Sequence, residues 1–364
     1  MILQGWILQN PSLEKTTDNK MSRDIPIENL YYLLCYAYDK LPDQKITSVD
    51  AEHCPDSLNL LGLALARSIN QLKKRGLERQ YLERVEETSR LQGRVLLHES
   101  KKRLIDRQGR MVCEFDELSI DCLSNRILKA GCELALRSRA LTTRVRQEIR
   151  QAQKLFTVVR SIRISESICA RVRIHRNNRR YRMPIAICRL LLRSLNPNER
   201  SGRREFFDPF MEHKAMAALF EKFVRNFATI HMPWCKVSGR QIPWDGEFDE
   251  VSRPHIPIME TDVTLEAEGF KRIIDCKFYK ETMVSRYEQL KIRSGHLYQL
   301  GAYLRNASAM AGWENVQGQL LYPAIDQNLD LKFKINGFEI KVTSVDLDQN
   351  WEVIEEKLLE AISN

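Results

Sequence analysis

The 364-residue chain has no C-x-x-C pair; its nine cysteines are scattered at positions 35, 54, 113, 122, 132, 169, 188, 235 and 276. Their spacing excludes the usual cysteine zinc sites and a disulfide framework, and an odd, dispersed set of thiols fits a reducing cytoplasm. No stretch approaches the roughly 18 apolar residues that a membrane helix needs, so no membrane span is expected. Met1 to Lys20 lacks the basic and continuous apolar regions of a signal peptide; residues 1–23 are expected to be a disordered extension, with Met21 as an alternative start. A G-x-x-x-x-G-K-[ST] nucleotide loop is missing, and so is any separate base-reading module. What the chain does have is 43% hydrophobic residues, ample for a core, at a length that suits two domains or one large one. A formal charge of +9 and a pI of about 9.0 fit contact with a polyanion, although many basic proteins bind no nucleic acid.

The most informative stretch is Ile258 to Lys280, I-M-E-T-D-V-T-L-E-A-E-G-F-K-R-I-I-D-C-K-F-Y-K. Met259 to Leu265 alternates apolar and polar residues, Gly269 marks a turn, and Arg272 to Tyr279 is again extended. Strand side chains alternate faces, which puts Glu260 with Asp262 and Asp275 with Lys277. Paired in register, the two strands would bring two carboxylates and an ammonium to one spot among Ile273, Ile274, Cys276 and Phe278. Such a cluster suits Mg²⁺, which takes one or two carboxylates and leaves its other positions to water and phosphate. Asp262 and Asp275 are the expected metal ligands, with the Cys276 carbonyl as a further one and Lys277 orienting the attacking water. The spacing D-(x)₁₂-D-x-K resembles the PD-(D/E)xK nuclease core, except that Thr261 stands where a proline is usual. A charged strand pair is more often a solvated sheet face, but the apolar neighbours of Asp275 and Lys277 weigh against that. So does Gln299-Leu-Gly-Ala-Tyr303, whose i, i+4 spacing puts Gln299 and Tyr303 on one helix face. It resembles the accessory motif of the RecB-like nucleases.

Elsewhere, Ile25 to Leu41 is expected to be a helix whose tyrosines pack a core face rather than stack on bases. Helices are expected over Ser57 to Arg75, Ile120 to Leu141 and Thr143 to Phe156, and extended segments over Tyr81 to Leu97 and Met111 to Leu118. Arg171 to Arg182 is densely basic and reads equally as a phosphate-contacting patch and as a solvated or partner-pairing loop. After a short helix from Pro184 to Leu195, Asn196 to Gly202 has linker chemistry. Asp208 to Ile230 is a long amphipathic helix. Its Glu221 is either an extra acid for the metal or a surface glutamate. Trp234 to Trp244 is an expected strand, Ser285 to Arg305 a helix, Gln317 to Tyr322 a buried strand, Lys332 to Val342 an edge strand, and Asp348 to Ile362 a final helix.

Several segments together are similar to the McrC family, nuclease subunits of modified-cytosine restriction systems. They are Ile25 to Tyr38, Phe115 to Lys129, Met259 to Thr264, Ile274 to Lys280, Leu297 to Leu304 and Lys334 to Phe338. The resemblance implies an α/β (α+β) chain: an N-terminal domain of helices and strands over 24–200 that docks a AAA+ GTPase ring, then a PD-(D/E)xK endonuclease domain over 201–364 with a mixed sheet flanked by helices. It carries Asp262, Asp275 and Lys277 over as the catalytic set, supported by Gln299, Tyr303, Glu260 and Glu221. It further implies Mg²⁺, double-stranded DNA and an McrB-like GTPase hexamer as cofactor and partners, with GTP bound by the partner and not by this chain. A RecB-like repair nuclease without a ring, and a ring-activating adaptor whose nuclease has decayed, are the alternatives.

Overall fold

A computed structural model of the protein describes residues 25–38, 54–102, 108–195, 208, 210, 212–278, 283–286, 289–324 and 328–363. The extension expected at 1–23, the end of the first expected helix and the linker at 196–202 fall outside them. The chain divides into two units, Cys54–Phe207 and a second that joins Asp208–Asn364 to the start of the chain.

Helix α1 (Ile27–Ala37) therefore belongs with the C-terminal unit, not with an N-terminal domain over 24–200 as its sequence position implies. The reason is its aromatic face. Tyr31, Tyr32 and Tyr36 are buried, Tyr32 stacks on Trp351 with ring centroids 4.3 Å apart, and the Tyr36 hydroxyl lies 2.9 Å from Nε2 of His231. Asn29 Nδ2 donates to the carbonyls of Leu347 and Gln349 at 2.8 and 2.9 Å. The tyrosines pack a core, as their spacing predicts.

In the Cys54–Phe207 unit, helix α2 (Ser57–Arg75) starts where Asp56 accepts from the Asn59 N–H at 2.8 Å and ends at Gly76, with φ of +88°. Strands β1 (Gln80–Thr88), β2 (Arg94–Val95) and β3 (Met111–Ser119) form an antiparallel sheet in the order β1-β3-β2, with the short helix α3 (Leu97–Lys102) between β2 and β3. Helices α4 (Leu123–Leu136), α5 (Thr143–Gln153) and α7 (Arg182–Leu195) pack with α2, and α6 (Glu166–Ala170) packs on α7. Closeness needs glycine at Gly131 of α4, where a Cβ would lie 2.3 Å from Sγ of Cys188. Asp121, just before α4, accepts from Nε and Nη2 of Arg126 at 2.7 and 2.9 Å and from the backbone N–H and Nε of Arg160 at 2.9 and 2.7 Å. In the basic stretch, Asn178 and Tyr181 are buried anchors, while Arg171, Arg173, Arg176 and Arg180 are exposed.

The C-terminal unit is built on a six-stranded mixed sheet. Helix α8 (His213–His231) and strands β4 (Lys236–Ser238), β5 (Gln241–Ile242), β6 (Met259–Glu260), β7 (Val263–Ala267) and β8 (Phe270–Cys276) come first. Strands β9 (Met283–Arg286) and β10 (Gln289–Ile292), helix α9 (Ser294–Ser308), strands β11 (Gln317–Ala324), β12 (Asp330–Ile335) and β13 (Phe338–Asp346), and helix α10 (Trp351–Ser363) follow. The order across the sheet is β12-β13-β11-β8-β7-β4, with β11 parallel to both β8 and β13 and the other pairs antiparallel. Strand β8 is buried on both faces. Ile273 packs with Leu300, Tyr303 and Leu304 of α9, whereas Arg272 points the other way, to the last turn of α10.

Three expectations change. Residues 285–286 and 289–292 are strand rather than the start of a helix: β9 pairs antiparallel with β10, Met283 opposite Ile292, and α9 begins only at Ser294. Lys332 to Val342 is not one edge strand but the ends of two, folded at Asn336 and Gly337 with φ of +53° and +87°; β12 is the edge and β13 is internal. Met259 to Leu265 is not continuous either, because β6 pairs with β5 in a separate two-stranded ladder and the chain breaks before β7.

Candidate functional site

The β7–β8 hairpin is closed by Glu268 and Gly269, where φ of +69° suits glycine. Its register sets Val263 opposite Ile274, so Asp262 at the mouth of β7 stands across from Asp275. Oδ2 of Asp262 accepts the Cys276 N–H at 2.7 Å. Asp275 is fully buried; its Oδ2 lies 2.8 Å from the Lys277 ammonium, and among the described residues no other group donates to its carboxylate. Lys277 Nζ donates to Oε1 of Gln299 at 2.8 Å, Gln299 Nε2 donates to the Tyr303 hydroxyl at 2.8 Å, and that hydroxyl donates to the Glu260 carbonyl at 3.1 Å. One relay thus runs from β8 through α9 to β6.

Glu221 comes to the same place from α8. Its Oε1 accepts from Nη2 of Arg225 at 2.6 Å, and Nε of Arg225 donates to the Asp262 carbonyl at 2.7 Å. Glu260 joins the cluster through its backbone, its side chain being exposed. Cys276 contributes the N–H that holds Asp262; burial pushes its thiol well above the usual range.

Burial dominates the electrostatics. Burial, partly opposed by the Lys277 ammonium and aided by the charge of Asp262, raises Asp275 to about 7. Burial likewise raises Asp262, against the Cys276 N–H and Lys277, and raises Glu221, with the charge of Asp262 adding to the shift and Arg225 opposing it. Three acids that resist ionisation around one lysine make a place short of positive charge. A divalent cation would supply that charge, and the carboxylate oxygens of Asp275, one of them facing only Lys277, are hard donors of the type Mg²⁺ takes. Among the described residues no three His, Cys, Asp or Glu side chains form a ready-made cage. The donor set fits a cation that fills its remaining positions with water and substrate.

The proline missing from the nuclease motif has a structural reason. The Thr261 N–H donates to the Arg240 carbonyl at 3.0 Å and its Oγ1 accepts the Arg240 N–H at 3.0 Å, a reciprocal pair in which proline could not donate. Two further residues join the cluster without a sequence motif. Arg225 is one, and its only linear signal is the i, i+4 spacing from Glu221. The other is His296, whose Nδ1 lies 2.8 Å from the Tyr322 hydroxyl. Burial, with the charges of Lys277 and Arg293, holds that imidazole down to about 4, so it is neutral.

A protein-family model described as McrBC 5-methylcytosine restriction system component matches residues 12–323. The chain belongs to the McrBC family. It is 29% identical over 337 residues to the Type IV methyl-directed restriction enzyme EcoKMcrBC of Escherichia coli K12, covering 92% of this chain and 97% of that protein. Its fold matches a chain of the Thermococcus gammatolerans assembly of McrB AAA+ hexamers with bound McrC, with a TM-score of 0.57 and 20% identity, over 96% of this chain and 78% of that one. The McrBC family match runs through α8, the β7–β8 hairpin and α9, so every residue of the cluster named above lies within it.

Proposed function

We propose that this McrBC component is the nuclease subunit of its system, a Mg²⁺-dependent endonuclease that hydrolyses DNA phosphodiesters when assembled with an McrB-like AAA+ GTPase ring. The observation that carries it is Asp275: a fully buried carboxylate beside Asp262 that, among the described residues, meets only the Lys277 ammonium, 2.8 Å from Oδ2. Burying an acid in this way is costly unless a cation completes it. Asp262 and Asp275 would hold the ion, and Glu221 stands beside them on α8. Bound there, Mg²⁺ supplies a water of lowered pKa and charge to offset the attacked phosphate.

The chain's own groups do the rest. Lys277, held between Asp275 and Gln299, orients the attacking water and stabilises the negative charge that grows on the phosphate. Gln299 and Tyr303 fix that ammonium against α9, and Arg225 fixes the backbone of Asp262. Recognition of modified cytosine and hydrolysis of GTP fall to the partner, and the Cys54–Phe207 unit docks the ring. The family's 5-methylcytosine description and the McrB-bound McrC of the T. gammatolerans assembly support this division of labour.

Cleavage of methylated and unmethylated DNA by the chain with its partner, GTP and Mg²⁺ tests the proposal. Asp275→Ala and Lys277→Ala should each lower cleavage by roughly 10²–10³-fold or more while the partner's GTPase is still stimulated. Cleavage that survives both substitutions would sink it. Loss of both activities together would point to misfolding or to a wrong site assignment.

A further inference from the structure

Strands β8, β11 and β13 run parallel, so their ends differ in character. Asp275 and Cys276 lie at the C-terminal end of β8. At the N-terminal ends, a cavity of about 370 Å³ is lined by Arg272, Gln317, Gly318, Glu339, Ile340 and Lys341 together with Lys332, Phe333 and Lys334 of the edge strand β12. The four cations face one carboxylate, Glu339, which is already engaged: Lys334 Nζ lies 3.1 Å from Oε1, and Gln317 Nε2 donates to Oε2 at 3.2 Å.

Two of the cations are unusual. Arg272 is 4% exposed and Lys341 9% exposed, yet neither has a carboxylate partner among the described residues. Arg272 donates from Nε and Nη2 to Oε1 of Gln317 at 3.3 and 2.8 Å and from Nη1 to the Ile362 carbonyl at 3.1 Å. Lys341 Nζ donates to the Ala361 carbonyl at 3.1 Å. The end of α10 offers only about half a negative charge, too little to offset two full cations. Burial makes both groups harder to keep charged, lowering each below its ordinary range. Among the described residues the acids that act on them, Glu339 on Arg272 and Asp330 and Glu360 on Lys341, stand beyond ion-pair distance, and the cavity beside them is also lined by Lys332 and Lys334.

We infer that this cavity is a phosphate-binding site, in which Arg272, Lys341, Lys332 and Lys334 hold a phosphate group at the end of the sheet away from the paired aspartates. A dianionic or polyanionic ligand matches the excess of positive charge better than a lone carboxylate, and Arg272 offers a planar guanidinium suited to phosphate. The phosphate could come from a free nucleotide or from the DNA backbone, and the two sources are separable.

The test is calorimetric titration of the full chain in metal-free buffer at constant ionic strength, with inorganic phosphate, a deoxynucleoside 5′-monophosphate and a short DNA duplex as probes. Lys332→Ala/Lys334→Ala removes exposed residues on which the fold does not depend, and Lys341→Met keeps the buried stem while removing the charge. The site predicts saturable binding of phosphate or monophosphate that weakens at least tenfold in the double variant and in Lys341→Met. If duplex affinity falls in parallel, the DNA backbone is the source; if only monophosphate affinity falls, a free nucleotide is. Absence of phosphate binding in the wild type, or equal binding in the variants, overturns the inference. Should Lys341→Met fail to fold, the double variant decides alone.

Discussion

Two buried aspartates, one in each unit, have opposite surroundings. Asp121 accepts four hydrogen bonds from Arg126 and Arg160, whereas Asp275, among the described residues, meets only the Lys277 ammonium. Burial alone would raise Asp121 as it raises Asp275, but the Arg126 guanidinium and the backbone and side chain of Arg160 pull it well below the usual carboxylate range. Asp275 instead stays raised, at about 7. A buried acid whose lone pairs are filled holds a fold together. One met by a single lysine costs stability, and such a cost persists where a ligand completes the group.

The sharpest break of the comparison is functional. Asp275→Ala should remove roughly 10²–10³-fold or more of cleavage, while Asp121→Asn should leave the chemistry of the assembled complex near wild type; equal losses would erase the distinction. Next in size is stability. Asp121→Ala leaves two guanidiniums facing a partly buried gap and should destabilise its unit by about 2–3 kcal/mol. Asp275→Asn should make the metal-free C-terminal unit more stable, because it removes a buried charge, and should abolish stabilisation by Mg²⁺. Peptide-level hydrogen exchange over residues 115–136 and 270–278 measures both.

The pH dependences should also run in opposite directions. Asp121 binds its proton less readily in the fold than in the unfolded chain, so its contribution is present above about pH 4 and lost as pH falls below it. Asp275 binds its proton more readily in the fold. In metal-free protein its region should lose stability as pH rises from about 4 to about 7, then level off. Hydrogen exchange across pH 3–8, corrected for intrinsic rates, reads both slopes; two slopes of one sign would break the comparison. The smallest effect is expected at Tyr303→Phe, which removes the hydroxyl linking Gln299 to the Glu260 carbonyl. That loss is worth about 1 kcal/mol and a roughly fivefold drop in cleavage, with GTPase stimulation unchanged.

Much of the site could be read in the linear chain because its signals are local. Strand alternation around Gly269 puts Asp262 opposite Asp275, and an i, i+4 pair puts Gln299 next to Tyr303. Asn336-Gly337 also carries a local hairpin signal that a single strand over Lys332 to Val342 overlooks. The alternation of Val284, Leu290 and Ile292 marks β9 and β10 equally locally, but a charged stretch next to a helix hides it.

Sequence by itself determined the hairpin, the spacing of its acids and lysine, and the aromatic face of α1, since each follows from backbone periodicity over a few residues. Only the tertiary structure decided where that aromatic face is buried, that Arg225 reaches the Asp262 carbonyl, that Thr261 replaces a proline by pairing with Arg240, and that Asp275 is buried with Lys277 as its one cationic neighbour. Those outcomes depend on contacts between residues far apart in the chain, whose free energies are fixed by mutual burial, and no local pattern encodes which distant surface will cover a given side chain.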